Sequence, residues 1–407
     1  MQLCKQLGLP NEERRMIYYT ALLKDLGCSS NAARVAEIYL TDDRSFKHDF
    51  KLIGEGIGPA LRFVLAKTGN GKSIGKRSRA IANILKNGPE LVHSLIETRC
   101  TRGAEIARLL RFPDAVAQGI YSLDEHWDGT GKPAALAGHA IPLASRIALL
   151  VQIADVFFSN AGPQAAQTEV ARLAGKWLDP ELCRAFAEIA SGRRFWERLE
   201  NDDLGASVIA DLPPEDAIVV DEAYLDEIAA AFGQVIDAKS PYTSGHSERV
   251  SSYAADVGAA MGLPKHDLRS LRRAALLHDV GKLGVSSSIL EKPGKLDDLE
   301  WGVMRGHAAQ TAEILGRIAP LREMAMIAAS HHERLDGKGY PLGLDEGLLA
   351  VEARIITVCD FFDALTADRP YRSALSHEQA FDIMEREAGT AIDAQCLALL
   401  QKAVLRA

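Results

Sequence analysis

Two distant stretches of the chain match each other without a gap. Leu123–Pro133 reads LDEHWDGTGKP and His331–Pro341 reads HHERLDGKGYP. Glu125 falls on Glu333, Asp128 on Asp336, Gly129 on Gly337, Gly131 on Gly339 and Pro133 on Pro341. The paired histidines His331 and His332 stand opposite Leu123 and Asp124, and Tyr340 opposite Lys132. The match extends outwards. YYTALLKDLGCSS (18–30) resembles RRAALLHDVGKLGVSS (272–287), with Lys24 in place of His278 and Cys28 in place of Lys282. RCTRGAEIARLL (99–110) resembles HAAQTAEILGRI (307–318), with Arg99 where His307 stands. RIALLVQIADVFF (146–158) resembles RIITVCDFFDAL (354–365), and a three-residue offset sets Asp155 on Asp360.

Two stretches with one apolar pattern must fold alike. The pattern is helical: Ala312, Leu315 and Ile318 share a face, and EVARLAGKWL and AYLDEIAAAFGQVI repeat the same spacing. Alternating strand patterns are scarce, DAIVV (216–220) being the short exception. The expected fold class is therefore all-α, with two tandem helical domains of one type. The first copy carries roughly 46 extra residues between Cys28 and Arg99. Residues 198–223 are rich in acid, Pro and Gly and read as a connection. The expected division is a first domain over 1–200, a linker over 201–221 and a second domain over 222–407. His246 lies 32 residues before His278, and the same distance before Lys24 falls upstream of Met1. The first copy thus begins inside its own repeat, which leaves open a missing first helix or a start of translation further upstream.

The second copy concentrates metal-ligating side chains: His246, the His278–Asp279 pair, His307, the His331–His332 pair and Asp360. Five of the chain's eleven histidines lie there. Such segments converge only if helices pack around one centre. Neutral imidazoles and carboxylates suit first-row divalent ions. One carboxylate between two histidine groups can bridge a metal pair, which activates water and clamps a phosphoryl group. Lys282 follows His278 by one helical turn and would point the same way if the helix continues. A lone buried histidine is usually a satisfied core residue. The contrast with a first copy that keeps the apolar pattern and loses every histidine of this set argues against that reading.

These residues resemble the HD-GYP domain, a branch of the HD-type metal-dependent phosphohydrolases. The resemblance rests on HDVGKLGVSSSILEKPGKL (278–296), HHERLDGKGYP with Gly339, Tyr340 and Pro341, and DFFDALTADRPYR (360–372). It covers residues 222–407, and 1–200 in degraded form. It implies a phosphodiesterase of cyclic di-GMP giving pGpG and GMP; related readings are another cyclic dinucleotide, another nucleotide, or a non-catalytic scaffold. By position it makes His246, His278, Asp279, His307, His331, His332 and Asp360 ligands of two divalent ions, Fe or Mn. It places Asp279 and Lys282 at the reaction and gives the substrate phosphates to Lys282, Arg369 and Arg372. Some relatives hold a third metal through a Glu where this chain has Tyr242, so two metals are expected, with Asp363 left open as a ligand. The GYP loop is implied to be a shaped surface, linked in the family to diguanylate cyclases. A homodimer is left open.

Composition narrows the rest. A net charge of −8 argues against a general nucleic-acid binder. No run of about 18 apolar residues predicts a membrane span. Six cysteines without a CxxC pair fit a reducing cytoplasm. Cys359 beside Asp360 reads as a small core residue. AKTGNGKS (66–73) fits a loose phosphate-loop pattern but lacks a βαβ setting, and the basic segment after it reads as a solvated face. Asp25, Asp128 and Asp155 read as residues of fold and turn.

Overall fold

The structure is a computed structural model and describes residues 1–41, 57–69, 73–201, 203–212, 219–292, 294–369 and 372–405. Among them there is no β-strand, only isolated bridges, so the chain is all-α. It divides into two compact units, Met1–Val219 and Val220–Ala407.

Unit 1 contains α1 (Gln2–Gln6), α2 (Asn11–Leu23), α3 (Ala32–Tyr39), α4 (Ile57–Lys67), α5 (Ile74–Leu109), α6 (Asp114–Tyr121), α7 (Leu143–Leu173), α8 (Pro180–Ala190), α9 (Arg193–Leu199) and α10 (Leu204–Ala210). Unit 2 contains α11 (Glu222–Asp237), α12 (His246–Ala260), α13 (Lys265–Leu277), α14 (Ser287–Leu290), α15 (Asp298–Gly316), α16 (Ala325–Ala329), α17 (Val351–Thr366), α18 (His377–Glu387) and α19 (Ala394–Val404). Val250, Leu271, Ile355, Phe362, Met384 and Leu400 form the centre of the unit 2 core.

Sequence accounts for several helix ends. Asp297 accepts the Glu300 amide and Glu300 returns the bond to the Asp297 amide, a capping box that starts α15. Asp393 and Asp179 accept backbone amides as simple N-caps at the starts of α19 and α8. Glycine is forced at the HD turn. A Cβ on Gly281 would lie 1.9 Å from the His307 carbonyl oxygen, and one on Gly27 would lie 1.9 Å from that of Arg99. No side chain fits either place.

The two units repeat their local geometry. Arg354 donates to the Leu349 carbonyl and to Asp393, and Arg146 donates to the Ile141 carbonyl and to Asp179. Glu333 accepts the amides of Leu342, Gly343 and Leu344, while Glu125 accepts those of Ala134 and Leu136. Tyr340–Pro341 and Lys132–Pro133 are both cis. With Arg146 and Arg354 in one role, α7 and α17 align without an offset. Gln152 then falls on Asp360 and Asp155 on Asp363, which corrects the three-residue offset expected from the sequence. The segment after α17 that carries Arg369 and Arg372 is a second difference. Arg354 and Asp393 are 39 residues apart, but Arg146 and Asp179 only 33. Unit 1 replaces the loop with a break at Gly162 (φ 80°), followed by Pro163.

Other expectations meet the structure as follows. The stretch read as a linker contains α10, and Asp211 beyond it pairs with Lys5 and Arg198. Residues 213–218, with most of DAIVV, lie outside the described residues. So do 70–72 of AKTGNGKS; what precedes them is helix α4, not the strand a phosphate loop needs. α7 is long and apolar enough to cross a membrane by length and composition. Its apolar face is accounted for within unit 1, where Ile147, Leu150, Ala154, Val170 and Leu173 are core. All six cysteines are free.

Candidate metal centre

Five segments of unit 2 bring their ligand atoms to one point. His246 opens α12, after Gly245 in the left-handed region (φ 68°). His278 ends α13, and Asp279 starts a 3₁₀ turn, Val280–Gly284. His307 lies in α15, His331 and His332 follow α16, and Asp360 lies in α17. Asp279 sits in the middle. Its Oδ2 is 3.4 Å from His278 Nε2 and 3.7 Å from His246 Nε2. Its Oδ1 is 3.5 Å from His307 Nε2 and 3.6 Å from His331 Nε2. Asp360 Oδ1 completes the first side, 3.3 Å from His246 Nε2. His332 completes the second, grouped with His307 and His331.

The other ring nitrogens are fixed from outside. Nδ1 of His278, His307 and His331 donates to the carbonyls of Ala275, Met304 and Ala328. His246 Nδ1 donates to Asp363 at 2.6 Å, and Arg249 holds that carboxylate through two bonds of 2.6 and 3.0 Å. Each Nε2 is thereby turned towards the centre, the arrangement expected of orienting partners behind metal ligands. Asp363 is thus an orienting residue and not one of the clustered ligands. Sequence reading missed Arg249 and the role of Asp363. The available signals were spacings of three residues, Asp360 to Asp363 and His246 to Arg249, which share a helical face.

Electrostatics agree with this geometry. Burial lowers the His307 imidazole, and burial with the neighbouring histidines holds His331 and His332 well below the ordinary value. Each shift favours the neutral imidazole, the form that ligates a metal. Burial alone would lower His278 as well, but Asp279 and Asp360 outweigh it and raise it to about 9. Burial opposes the Asp279 charge, yet Lys282 and His278 keep its pKa far below the ordinary value.

The residues fit two divalent ions. Asp279 Oδ1 is buried and without a hydrogen-bond partner, which is costly unless something else satisfies it. Nε2 atoms of His246 and His278 face each other at 3.3 Å, and those of His307 and His331 at 3.4 Å. A cation on each side of the bridging carboxylate would relieve both contacts. The chemistry of the set does not name the metal.

The remaining predicted residues are placed unequally. Lys282 is not on a continued α-helix, because α13 ends at His278. The 3₁₀ turn still brings its Nζ within 2.5 Å of Asp279 Oδ2. Arg372 donates to the carbonyls of Ala364, Leu365 and Ser373, so its guanidinium closes the end of α17. Arg369 is half-buried, and its charge acts on Glu291. Pro370 and Tyr371 lie outside the described residues. Tyr340 is half-buried. Its ring lies 4.8 Å from that of His332, under the guanidinium of Arg305, and burial raises its hydroxyl pKa.

The family described as HD domain matches residues 79–182 and 231–396. The chain belongs to this family. It is 47% identical over 405 residues to the "3'3'-cGAMP-specific phosphodiesterase 3" of Vibrio cholerae, covering 99% of this chain and 88% of that protein. It is 37% identical over 173 residues to a cyclic di-GMP phosphodiesterase response regulator of Xanthomonas campestris, covering 42% of this chain and 46% of that protein. The crystal structure of a cyclic GMP-AMP specific phosphodiesterase of V. cholerae aligns with a TM-score of 0.62 at 42% identity, over 99% of this chain and 90% of that one. The chain is thus related to the HD-GYP phosphodiesterases of cyclic dinucleotides.

Proposed function

We propose that unit 2 is a two-metal phosphodiesterase acting on a 3'3'-linked cyclic dinucleotide. The observation that carries this reading is Asp279, with one carboxylate oxygen on each of two histidine groups. Divalent ions held there would supply Lewis acidity to the phosphate and lower the pKa of water. His246, His278, Asp279 and Asp360 would hold one ion, and Asp279, His307, His331 and His332 the other; iron and manganese suit this set. Lys282 brings a cation to the edge of the centre, where it meets a non-bridging oxygen or protonates the leaving oxygen. Arg369 would grip a second phosphate. Tyr340 walls off the His332 side.

Among substrates, the relative that matches nearly the whole chain favours 3'3'-cGAMP, and the shorter matches divide between 3'3'-cGAMP and cyclic di-GMP. We place 3'3'-cGAMP first. For unit 1 we propose a duplicated HD domain that kept the scaffold and lost the metals. The shared Arg–Asp and Glu–amide contacts support this, with Lys24, Arg99, Leu123, Asp124 and Gln152 at the ligand positions.

The test is anaerobic purification, metal analysis and turnover of 3'3'-cGAMP, cyclic di-GMP and cyclic di-AMP, beside Asp279→Asn. We expect two metals per chain, preference for 3'3'-cGAMP, and at least a ~100-fold loss in the variant. Two metals with no turnover of any of the three would overturn the substrate class. Four metals per chain would overturn the reading of unit 1.

A further inference from the structure

Trp301 and Arg305 stand one helical turn apart on α15, shortly before His307, and share a face of the helix. The Arg305 guanidinium lies over two rings, its Cζ 5.6 Å from the centroid of Trp301 and 5.4 Å from that of Tyr340. Tyr340 packs in turn against His332, with centroids 4.8 Å apart. One aromatic ring therefore separates this guanidinium from the metal centre. Arg305 is exposed, and among the described residues no carboxylate pairs with it and no carbonyl accepts its N–H groups. In unit 1 the matching positions hold His93, Glu97 and Lys132, and His93 Nε2 lies 3.9 Å from the Glu97 carboxylate. An acid stands there for the arginine and a lysine for the tyrosine. The trio is confined to the unit that gathers the metal ligands.

We infer that Arg305 is a specificity-determining residue that reads a guanine base of the substrate by donating to its O6 and N7. The inference rests on the reading of unit 2 as a cyclic dinucleotide phosphodiesterase. Two arguments choose a base over a phosphate. The first is position. The scissile phosphate must sit on the metals, and a group one ring outside their ligands meets a part of the substrate about a sugar's width away, where a base lies. The second is donor geometry. Contacts with the two rings use the guanidinium's charge and need no N–H partner, so its fork of donors stays unused. That fork matches the paired acceptors O6 and N7 of guanine, whereas adenine sets an amino donor beside its N7. Trp301, still 44% exposed, and Tyr340 hold the guanidinium before substrate arrives, which lowers the entropy lost on binding.

The full-length chain, loaded with manganese, should be titrated by calorimetry with phosphorothioate analogues of cyclic di-GMP, 3'3'-cGAMP and cyclic di-AMP, which resist hydrolysis. We expect tighter binding of the two guanine-containing ligands. Arg305→Met keeps an apolar stem over Trp301. It should weaken both guanine-containing ligands at least about tenfold and leave cyclic di-AMP, melting and metal content unchanged. Arg305→Lys keeps the charge without the fork and should lose the same discrimination. Equal weakening of all three ligands by Arg305→Met would mean a phosphate contact and would overturn the inference. Unchanged affinities in that variant, full discrimination in Arg305→Lys, or binding of none of the three would overturn it too. Turnover of the native dinucleotides, measured beside, keeps the two readings apart. Base-selective binding through Arg305 without turnover would sink the catalytic reading and keep the inference. Turnover with no base-selective effect of either variant would do the reverse.

Discussion

At the scale of single residues, the metal centre depends on groups that touch no metal. Asp363 orients His246 and is itself held by Arg249. We expect Asp363→Asn to weaken metal binding by about 10- to 100-fold, because orienting partners contribute that much; competition with a chelating indicator would measure it. A smaller change would mean that α12 alone orients the ring. Proton linkage gives a second expectation. His278, raised to about 9, carries a proton in the metal-free chain at pH 7, whereas His331 and His332 do not. An imidazole raised on folding stabilises the metal-free chain below its unfolded value of about 6.5, and that contribution fades as pH rises through about 9. Metal must displace this proton. Loading near pH 7 should therefore release about one proton per chain, since ligation needs a neutral imidazole. Calorimetry in buffers of different ionisation enthalpy would read it.

At the scale of elements, the two arginines of the RPYR loop separate. Arg372 satisfies three carbonyls at the end of α17. Arg372→Met should destabilise unit 2 by about 1–3 kcal/mol, the cost of leaving such groups unpaired. Arg369→Ala should leave melting unchanged and raise KM roughly tenfold, the loss of one charge-assisted phosphate contact. Thermal melts beside steady-state kinetics distinguish the two roles; equal effects on KM would return Arg372 to the substrate. The HD turn shows how one element serves both fold and site. Thr311 accepts the Gly281 amide and donates to the His278 carbonyl, tying the turn to α15 one helical turn beyond His307. Gly103 stands at that position in unit 1, where no such pair of bonds is made.

At the scale of the whole molecule, binding to one unit only should split the response to chelation. A ligand that binds the native state adds RT ln(1 + [L]/Kd) to its stability. Removing metals should lower the melting of Val220–Ala407 and leave that of Met1–Val219 in place. Differential scanning calorimetry with and without chelator, using the His278→Ala chain to assign the transitions, checks this. A shift in both transitions would mean either metal in unit 1 or one cooperative unit.

The chain's own spelling determined a good deal. Apolar spacing specified helices, the repeated segments pointed to two helical units, and the histidine set named the groups that gather at the centre. Each of those signals lives within a few turns of one helix, where spacing alone decides which side chains share a face. Packing decided the rest. His246 and Asp363 are 117 residues apart, and Arg249 and Asp363 are 114 apart, so no local pattern pairs them. The register of Asp155 followed from the buried contacts of Arg146, and the task of Arg372 from where α17 stops. Whether helix faces meet over a metal centre depends on which helix lies against them, and that contact forms only when the unit is assembled.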